Sequence, residues 1–146
     1  MKLTSPAFDM NQAIPSKYTC QGENISPPLE VGDVPHETQS LAVILDDPDA
    51  PSGDFVHWVV WDIDPGTTGI DENRVPTGAI QGINSASQAH YTGPCPPSGT
   101  HHYHFKLYAL DTKLTLPSSA QKQDLLQAME GHNIVQAELV GTYQKS

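Results

Sequence analysis

Basic residues are scarce in this chain. Lysine and arginine together number seven, against seventeen aspartates and glutamates, so the formal net charge is −10 with histidine neutral. A charge of this sign opposes sequence-independent attraction to nucleic acid and to anionic lipid surfaces. The composition therefore predicts neither a nucleic-acid-binding protein nor a general binder of polyanions. Because the field of the whole molecule repels negative ligands, any anion site must rely on short-range hydrogen bonds.

Long apolar runs are also missing. No run approaches the roughly 20 residues that a membrane-spanning helix requires. Residues 1–10 contain neither the basic segment nor the apolar stretch of a secretion signal. We therefore expect a cytoplasmic protein without a membrane span. Cysteine is limited to Cys20 and Cys95, which permit at most one intramolecular disulfide, and without a secretion signal free thiols are the better expectation.

Residues that interrupt regular structure are plentiful. Thirteen prolines and eleven glycines are spread along the chain rather than gathered in one tract, a pattern typical of many short strands joined by turns. The 146 residues suit one domain, and no repeat or linker divides them. We expect a single domain spanning residues 1–146.

Four segments have the length and composition of core strands. Residues 40–45 (SLAVIL) form an apolar run consistent with a strand buried on both faces. Residues 55–63 (FVHWVVWDI) are rich in β-branched and aromatic side chains. Residues 101–110 (HHYHFKLYAL) and 134–143 show the alternation of strands with one buried face.

One short helix is predicted near the C-terminus. Ser118 or Ser119 would cap it, and it would run to about Glu130 with Gly131 as its stop. Its apolar stripe consists of Leu125, Leu126 and Met129. The long segment 64–97 between the second and third strands is irregular, and a connection of that length usually carries function or wraps the core.

The period of two assigns side chains to the faces of the strands. On one face of the second strand it places Phe55, His57, Val59 and Trp61, and on the other Val56, Trp58 and Val60. In the third strand, the residues expected to face inward are His101, Tyr103, Phe105, Leu107 and Ala109. Those on the opposite, outward face are His102, His104, Lys106 and Tyr108. The cluster HHYH is therefore not a set of three ligands aimed at one point, and we expect the second and third of its histidines to be exposed.

Polar residues with useful chemistry flank these strands. Asp47 and Asp49 lie on a loop stiffened by two prolines, His57 follows a short distance away, and the segment 93–101 (GPCPPSGTH) ends at His101. Each feature has an ordinary structural interpretation. The aspartates suit a surface turn, and a histidine in an apolar strand usually donates to a backbone carbonyl. Their combination favours a shared site.

Two enzymatic alternatives use the same residues. Carboxylate and imidazole groups of Asp47, Asp49, His57 and His101 would suit zinc or iron, but their spacing matches no specific metal motif. A serine hydrolase would use Ser52 or Ser98 beside a histidine. No G-x-S-x-G elbow is present, and a serine before Gly99 is more simply a turn residue. Neither enzyme is the favoured interpretation.

Two segments of the sequence resemble a known family. Residues 46–63 (DDPDAPSGDFVHWVVWDI) and 91–111 (YTGPCPPSGTHHYHFKLYALD) are similar to the two signature regions of the phosphatidylethanolamine-binding proteins, the Raf-kinase-inhibitor-like proteins. IPSKYTCQGENISPPLE near the N-terminus and AELVGTY near the C-terminus resemble the short bacterial and archaeal branch. The likeness covers nearly the whole chain in order.

The resemblance implies a mainly β fold of two antiparallel sheets packed as a sandwich, with one short C-terminal helix. It also implies a small cavity that accepts phosphate, acetate or a phosphorylated head group. Transferred by motif, the residues that bind this ligand are Asp47, Asp49, His57, Gly93, Pro96, Pro97, His101 and Tyr103. The family includes inhibitors of kinases and of serine proteases as well as signalling scaffolds, so these enzymes are implied partners. A homodimer is a further expectation for the short branch.

We therefore expect a non-catalytic binding protein that needs no cofactor and no metal. Because carboxylates repel an anion, Asp47 and Asp49 are expected to orient His57 and His101 and to raise their proton affinity. Imidazolium N–H groups and backbone amides would then face the ligand. His102 stands where the family usually has arginine, and the strand pattern turns it away from the pocket. A tryptophan common in the family is also replaced, near Val31.

Overall fold

Nine β-strands, one α-helix and one short 3-10 helix form the regular structure of residues 1–145, the part of the chain that the computed structural model describes. The strands are β1 (Lys2–Thr4), β2 (Gln12–Ala13), β3 (Leu29–Gly32), β4 (Ser40–Asp47), β5 (Phe55–Ile63), β6 (Gly69–Ile70), β7 (Ile80–Gln81), β8 (Thr100–Leu110) and β9 (Asn133–Gln144). The helices are the 3-10 turn Ser16–Tyr18 and α1 (Lys122–Met129). Within residues 1–145, no helix is long and apolar enough to cross a membrane.

The strands are arranged in two sheets. The larger has the order β2-β9-β8-β4-β5-β7, and the smaller has the order β1-β3-β6. Every pairing is antiparallel except that of β2 with β9, which is parallel and lies at the edge of the larger sheet. The expected mainly β fold, with two sheets and one short helix, is confirmed.

Apolar side chains are buried on both faces of the larger sheet. The core between the two sheets includes Leu3, Leu29, Leu41, Val43, Leu45, Phe105, Leu107 and Leu139. The core under α1 includes Ala42, Ile44, Val59, Trp61, Tyr108, Leu110, Leu125 and Met129. Because β4 contributes to both cores, residues 41–45 are continuously apolar rather than alternating, as expected. The strand continues to Asp47, two residues beyond its predicted end, so Asp47 lies on the strand and not on the loop after it.

The period of two fails in β5 at His57. The pairing with β4 passes from Val56 to Trp58 and leaves His57 without a partner, which is a β-bulge. Trp58 lies in the core between the sheets, whereas Val59 and Trp61 lie in the core under α1. The prediction that His57 shares a face with Val59 and Trp61 is therefore wrong. One extra residue in the strand shifts the alternation and turns His57 toward Tyr103 on the inter-sheet side.

The alternation of β8 holds along its length. His101, Tyr103 and the apolar residues that follow at every second position are buried in the expected inward direction. His102 is exposed, and its neighbour His104 is partly exposed. Tyr108 belongs to the same outward set but is buried, because α1 covers that end of the strand.

The helix begins later than expected. Ser118 and Ser119 lie in a turn closed by a hydrogen bond from the Ala120 N–H to the Pro117 carbonyl, and neither serine caps α1. The N-cap is Gln121, whose backbone N–H donates to Asp124 Oδ2 at 2.9 Å in a capping box. On the expected apolar stripe, Leu125 and Met129 are buried but Leu126 is 37% exposed. Gly131 follows the helix with φ +82°, which confirms it as the stop.

Cys20 and Cys95 form a disulfide bond, with their Cα atoms 5.5 Å apart. The expectation of free thiols is wrong. It rested on the composition of residues 1–10, which carries no information about the distance between the two cysteines in the fold. The turn after the 3-10 helix brings Cys20 beside the 93–97 segment, where its N–H donates to the Pro94 carbonyl at 3.1 Å.

We predict that loss of this disulfide lowers the free energy of unfolding by about 4 kcal/mol, because the bond restricts the unfolded chain across a sequence separation of 75 residues. Urea denaturation of Cys20→Ala against the unsubstituted protein measures this difference. Cys95→Ala and the double variant are matched controls, since each removes the same bond and should lose the same amount. A midpoint that does not move when the unsubstituted protein is reduced would contradict the prediction.

Candidate functional site

A cavity of about 180 Å³ opens where β4 ends and where β5 and β8 begin. Because β4 pairs antiparallel with both neighbours, these three strand ends meet at one edge of the molecule. The segment 92–97 completes the wall. The lining residues are Asp47, Ala50, Pro51, Ser52, Phe55, His57, Thr92, Gly93, Cys95, Pro96, Pro97, His101 and Tyr103.

Seven of the eight predicted site residues line this cavity, and Asp49 does not. The Asp49 carboxylate turns to the outer face of β8, where one oxygen accepts hydrogen bonds from the backbone N–H and from Nδ1 of His102, both at 2.8 Å. These two bonds hold the pKa of Asp49 below its ordinary value. Asp49 therefore fastens the loop after β4 to β8. His102 points away from the cavity, as the strand pattern indicates.

His101 and Asp47 form a buried pair at the base of the cavity. Nδ1 of His101 lies 2.6 Å from Oδ2 of Asp47. Because an ionised carboxylate only accepts hydrogen bonds, Nδ1 carries the proton, and Nε2 is the ring nitrogen left for a ligand. The other oxygen of Asp47 accepts the backbone N–H of Asp49 at 2.8 Å. One carboxylate thus orients both the histidine and its own loop.

His57 is fixed by a different acceptor. Its Nδ1 lies 2.6 Å from the carbonyl oxygen of Thr92, so Nδ1 is the donor and Nε2 is again the nitrogen left for a ligand. Burial lowers the pKa of His57 below its ordinary value, although the Thr92 carbonyl and the nearby charge of Asp47 oppose the change. The expected increase in proton affinity therefore does not hold for His57. Burial therefore favours the neutral imidazole.

Tyr103 lies between the two histidines. Its ring meets His57 edge-on at 5.4 Å between centroids and stacks with His101 at 6.4 Å. Burial raises the pKa of Tyr103, so the hydroxyl keeps its proton. Among residues 1–145, this hydroxyl has no hydrogen-bond partner. The cavity therefore contains a buried donor group whose bonding capacity the surrounding protein does not use.

Gly93 fixes the position of the 92–97 wall. Its N–H donates to Oδ1 of Asn24 at 2.8 Å. A Cβ at this position would lie 2.4 Å from the same oxygen and 2.6 Å from the carbonyl oxygen of Tyr18. The disulfide of Cys95 and the two following prolines restrict the rest of the wall. The wall is therefore largely formed before any ligand enters.

Six lining residues were not predicted: Ala50, Pro51, Ser52, Phe55, Thr92 and Cys95. Most lie one to three positions from a predicted site residue, so extending each motif to its neighbours would have found them. Phe55 carries a further indication, because its ring packs on His57 with centroids 4.7 Å apart. These residues make much of the wall apolar.

The enzymatic alternatives find little support in this geometry. Among residues 1–145, no group of three or more His, Cys, Asp or Glu side chains is arranged to hold a metal ion. Asp49 lies outside the cavity, which removes one ligand of the hypothetical metal site. Ser52 lies at the rim, Ser98 does not line the cavity, and neither serine bonds a histidine within the described chain.

The architecture defines a β-sandwich with a small cavity where the strands of its larger sheet converge. Residues 4–144 match the family described as phosphatidylethanolamine-binding protein. A UPF0098 protein of Methanothermobacter thermautotrophicus is 53% identical to the chain over 99% of both sequences. The chain belongs to the phosphatidylethanolamine-binding protein family, in its short bacterial and archaeal branch.

Two solved structures are similar over the whole fold. The crystal structure of CT736 from Chlamydia trachomatis, described as a phosphatidylethanolamine-binding protein homologue, superposes with a TM-score of 0.96 at 45% identity, covering 99% of this chain and 97% of that one. YbcL of E. coli, described as a member of the mammalian family, superposes with a TM-score of 0.93 at 32% identity, covering 99% and 98%. Both similarities include the β4, β5 and β8 ends that form the cavity.

We predict that Gly93→Ala disrupts the cavity wall, because the added Cβ collides with Asn24 and with the backbone of Tyr18. The expected cost in unfolding free energy is roughly 1–3 kcal/mol, measured by thermal or urea denaturation. Gly99→Ala is a control for glycine loss nearby. It lies in open space but has φ +71°, so its cost is backbone strain without displacement of the wall. Amide chemical shifts of residues 18–24 should move only in the Gly93 variant.

Proposed function

We propose that the chain is a non-catalytic binding protein whose cavity holds a small oxyanion, such as phosphate or a phosphorylated head group. The observation that carries this proposal is the arrangement of the two histidines. Both use Nδ1 to bond a protein acceptor, Thr92 in one case and Asp47 in the other. Both therefore have Nε2 free for a ligand within one cavity of about 180 Å³.

His101 supplies the charge-assisted donor in this proposal. When its ring is protonated, Nε2–H donates to an anion while Asp47 balances the positive charge at Nδ1. Without that donor, the Asp47 carboxylate would repel an anion, since the protein as a whole is already strongly negative. The unused Tyr103 hydroxyl provides a second, neutral donor.

His57 has a different role because burial favours its neutral form. A neutral imidazole presents a lone pair at Nε2, which accepts a hydrogen bond from a protonated ligand oxygen. A phosphate monoester with one acidic proton satisfies both histidines, since it accepts from His101 and donates to His57. The second proton of a monoester is lost with a pKa of about 6. Ligand and site therefore fit best in mildly acidic solution.

The apolar part of the wall suits binding better than catalysis. Phe55 and the prolines at 51, 96 and 97 offer no polar group to a reacting atom. No hydroxyl nucleophile is paired with a general base in the described chain, and the two histidines are already held by acceptors. These features support capture of a ligand. Regulation of a kinase or serine protease by the loaded protein stays a prediction of the family resemblance.

We predict that His101→Ala weakens binding of phosphoethanolamine by about tenfold or more, because it removes a charge-assisted hydrogen bond. Isothermal calorimetry measures the change. His102→Ala is the matched control, since that ring is exposed on the opposite side of β8 and should leave the affinity unchanged. His101→Gln keeps a polar partner for the buried Asp47, so a loss of affinity there separates binding from folding. Unchanged affinity in both His101 variants would contradict the proposal.

We predict that the affinity for phosphoethanolamine falls as the pH rises from about 5 to about 8. The bound state needs a monoanionic phosphate whose remaining proton is donated to neutral His57, so loss of that proton, with a pKa of about 6, weakens binding. The lowered pKa of His57 favours the neutral ring that accepts this proton. Sulfate is a control ligand that keeps its charge throughout, so its profile isolates the protein's own titration. Flat profiles for both ligands would contradict the assigned roles.

A further inference from the structure

A second cavity, of about 340 Å³, adjoins the first without sharing a lining residue with it. His90 and Tyr91 line it, and they directly precede the 92–97 wall. Trp58 also lines it and directly follows His57. Two consecutive residues of β5 therefore serve different cavities. The function proposed above makes no use of the second cavity.

The charge around the second cavity is unusual for this protein. Arg74, the only arginine of the sequence, lines it. The side chain is exposed, and its guanidinium makes no ion pair with any residue of the described chain. Of residues 1–145, those that line the cavity include no aspartate or glutamate. Arg74 is thus the only lysine, arginine, aspartate or glutamate among the lining residues, although Glu23 and Glu72 directly precede two of them in the sequence, and its charge favours a negative ligand.

Two side-chain amides add hydrogen-bond donors of fixed orientation. Oε1 of Gln81 accepts the indole N–H of Trp58 at 2.7 Å, and Oδ1 of Asn24 accepts the backbone N–H of Gly93 at 2.8 Å. Because each amide oxygen is held by a donor, the other end of each amide must be the NH2 group. Within residues 1–145, neither NH2 group has an acceptor. A ligand rich in acceptor oxygens would satisfy both.

We propose that the second cavity binds a small hydroxycarboxylate. The guanidinium of Arg74 matches a carboxylate with two parallel hydrogen bonds. The NH2 groups of Asn24 and Gln81 donate to the remaining carboxylate and hydroxyl oxygens. Trp58 and Tyr91, whose rings meet edge-on with centroids 5.7 Å apart, form the rigid base of the cavity. No lining residue is shared with the oxyanion cavity, although the bond from the Gly93 N–H to Asn24 connects the two walls.

The test is a titration of the isotopically labelled protein with malate, followed by NMR. Malate should shift the indole N–H resonance of Trp58 and the side-chain NH2 resonances of Asn24 and Gln81. Trp61, buried on the other side of the sheet, is an internal control whose indole resonance should not move. Saturation of the first cavity with inorganic phosphate should leave these shifts in place.

Substitutions distinguish the two cavities. Arg74→Gln should weaken malate binding by about tenfold or more, because it removes the charge and the paired donors. Arg74→Lys keeps the charge without the planar pair of donors. Its affinity for malate should therefore lie between that of the unsubstituted protein and that of Arg74→Gln. His101→Ala should bind malate as the unsubstituted protein does. Arg74 is exposed, so its variants should keep the melting temperature, which confirms that folding is intact.

Three results would overturn the proposal. Malate binding that survives Arg74→Gln would show that the guanidinium is not its partner. Shifts confined to His57 and His101, and lost in His101→Ala, would place malate in the first cavity. An absence of any shift at millimolar malate would show that the second cavity does not hold this class of ligand. The first and third results leave the oxyanion proposal unchanged, because it rests on different residues, whereas the second would add malate to the anions that the first cavity holds.

Discussion

The strand β4 is buried on both faces, and its final residues are two consecutive aspartates. A buried carboxylate is stable only when it is paired, so the side chains of Asp46 and Asp47 must each find a partner on opposite sides of the sheet. Asp46 lies 2.7 Å from the ammonium of Lys122 and 3.3 Å from that of Lys106. Burial alone would raise the pKa of Asp46, but these two cations outweigh it and lower the pKa. Lys122 opens α1, so this pairing helps to hold the helix against the sheet.

On the opposite side, Asp47 meets the same requirement through His101. The need to pair two neighbouring charges thus shapes both the packing of the helix and the geometry of the cavity. The wall that faces His101 is fixed by other means, namely a disulfide, a run of prolines and the contact of Gly93 with Asn24. Such a cavity loses little conformational entropy when a ligand enters, because its groups are already ordered.

Sequence patterns predicted the parts of the fold that depend on the residues within one short segment. β5 was predicted to the residue from its β-branched and aromatic composition. The predicted bounds differ from the observed ones by one residue at one end of β8 and at both ends of β9, where the alternation is clear. The motifs also placed seven cavity residues, since their spacing follows the strand ends that carry them. Asp49 escaped this reasoning, because its orientation depends on a hydrogen bond to His102 across the sheet.

Apart from the helix start, which is a local matter, the features that sequence reasoning missed depend on contacts between distant segments. The disulfide joins residues 75 positions apart, and nothing near either cysteine indicates the other. The capping box of Gln121 and Asp124 sets the start of the helix, because the two serines lie in the turn before it. The second cavity collects residues from five separate segments, so no single motif represents it.

The bulge in β5 shows that the number of residues in a strand, and not only their types, determines the geometry of the site. Because His57 is the unmatched residue, His57 and Trp58 are adjacent in the chain yet line different cavities. A deletion of one residue between Val56 and Trp58 would restore regular pairing and leave no side chain to fill the place of the imidazole. A chain that lacks this one residue would keep the sandwich and lose one wall of the binding cavity.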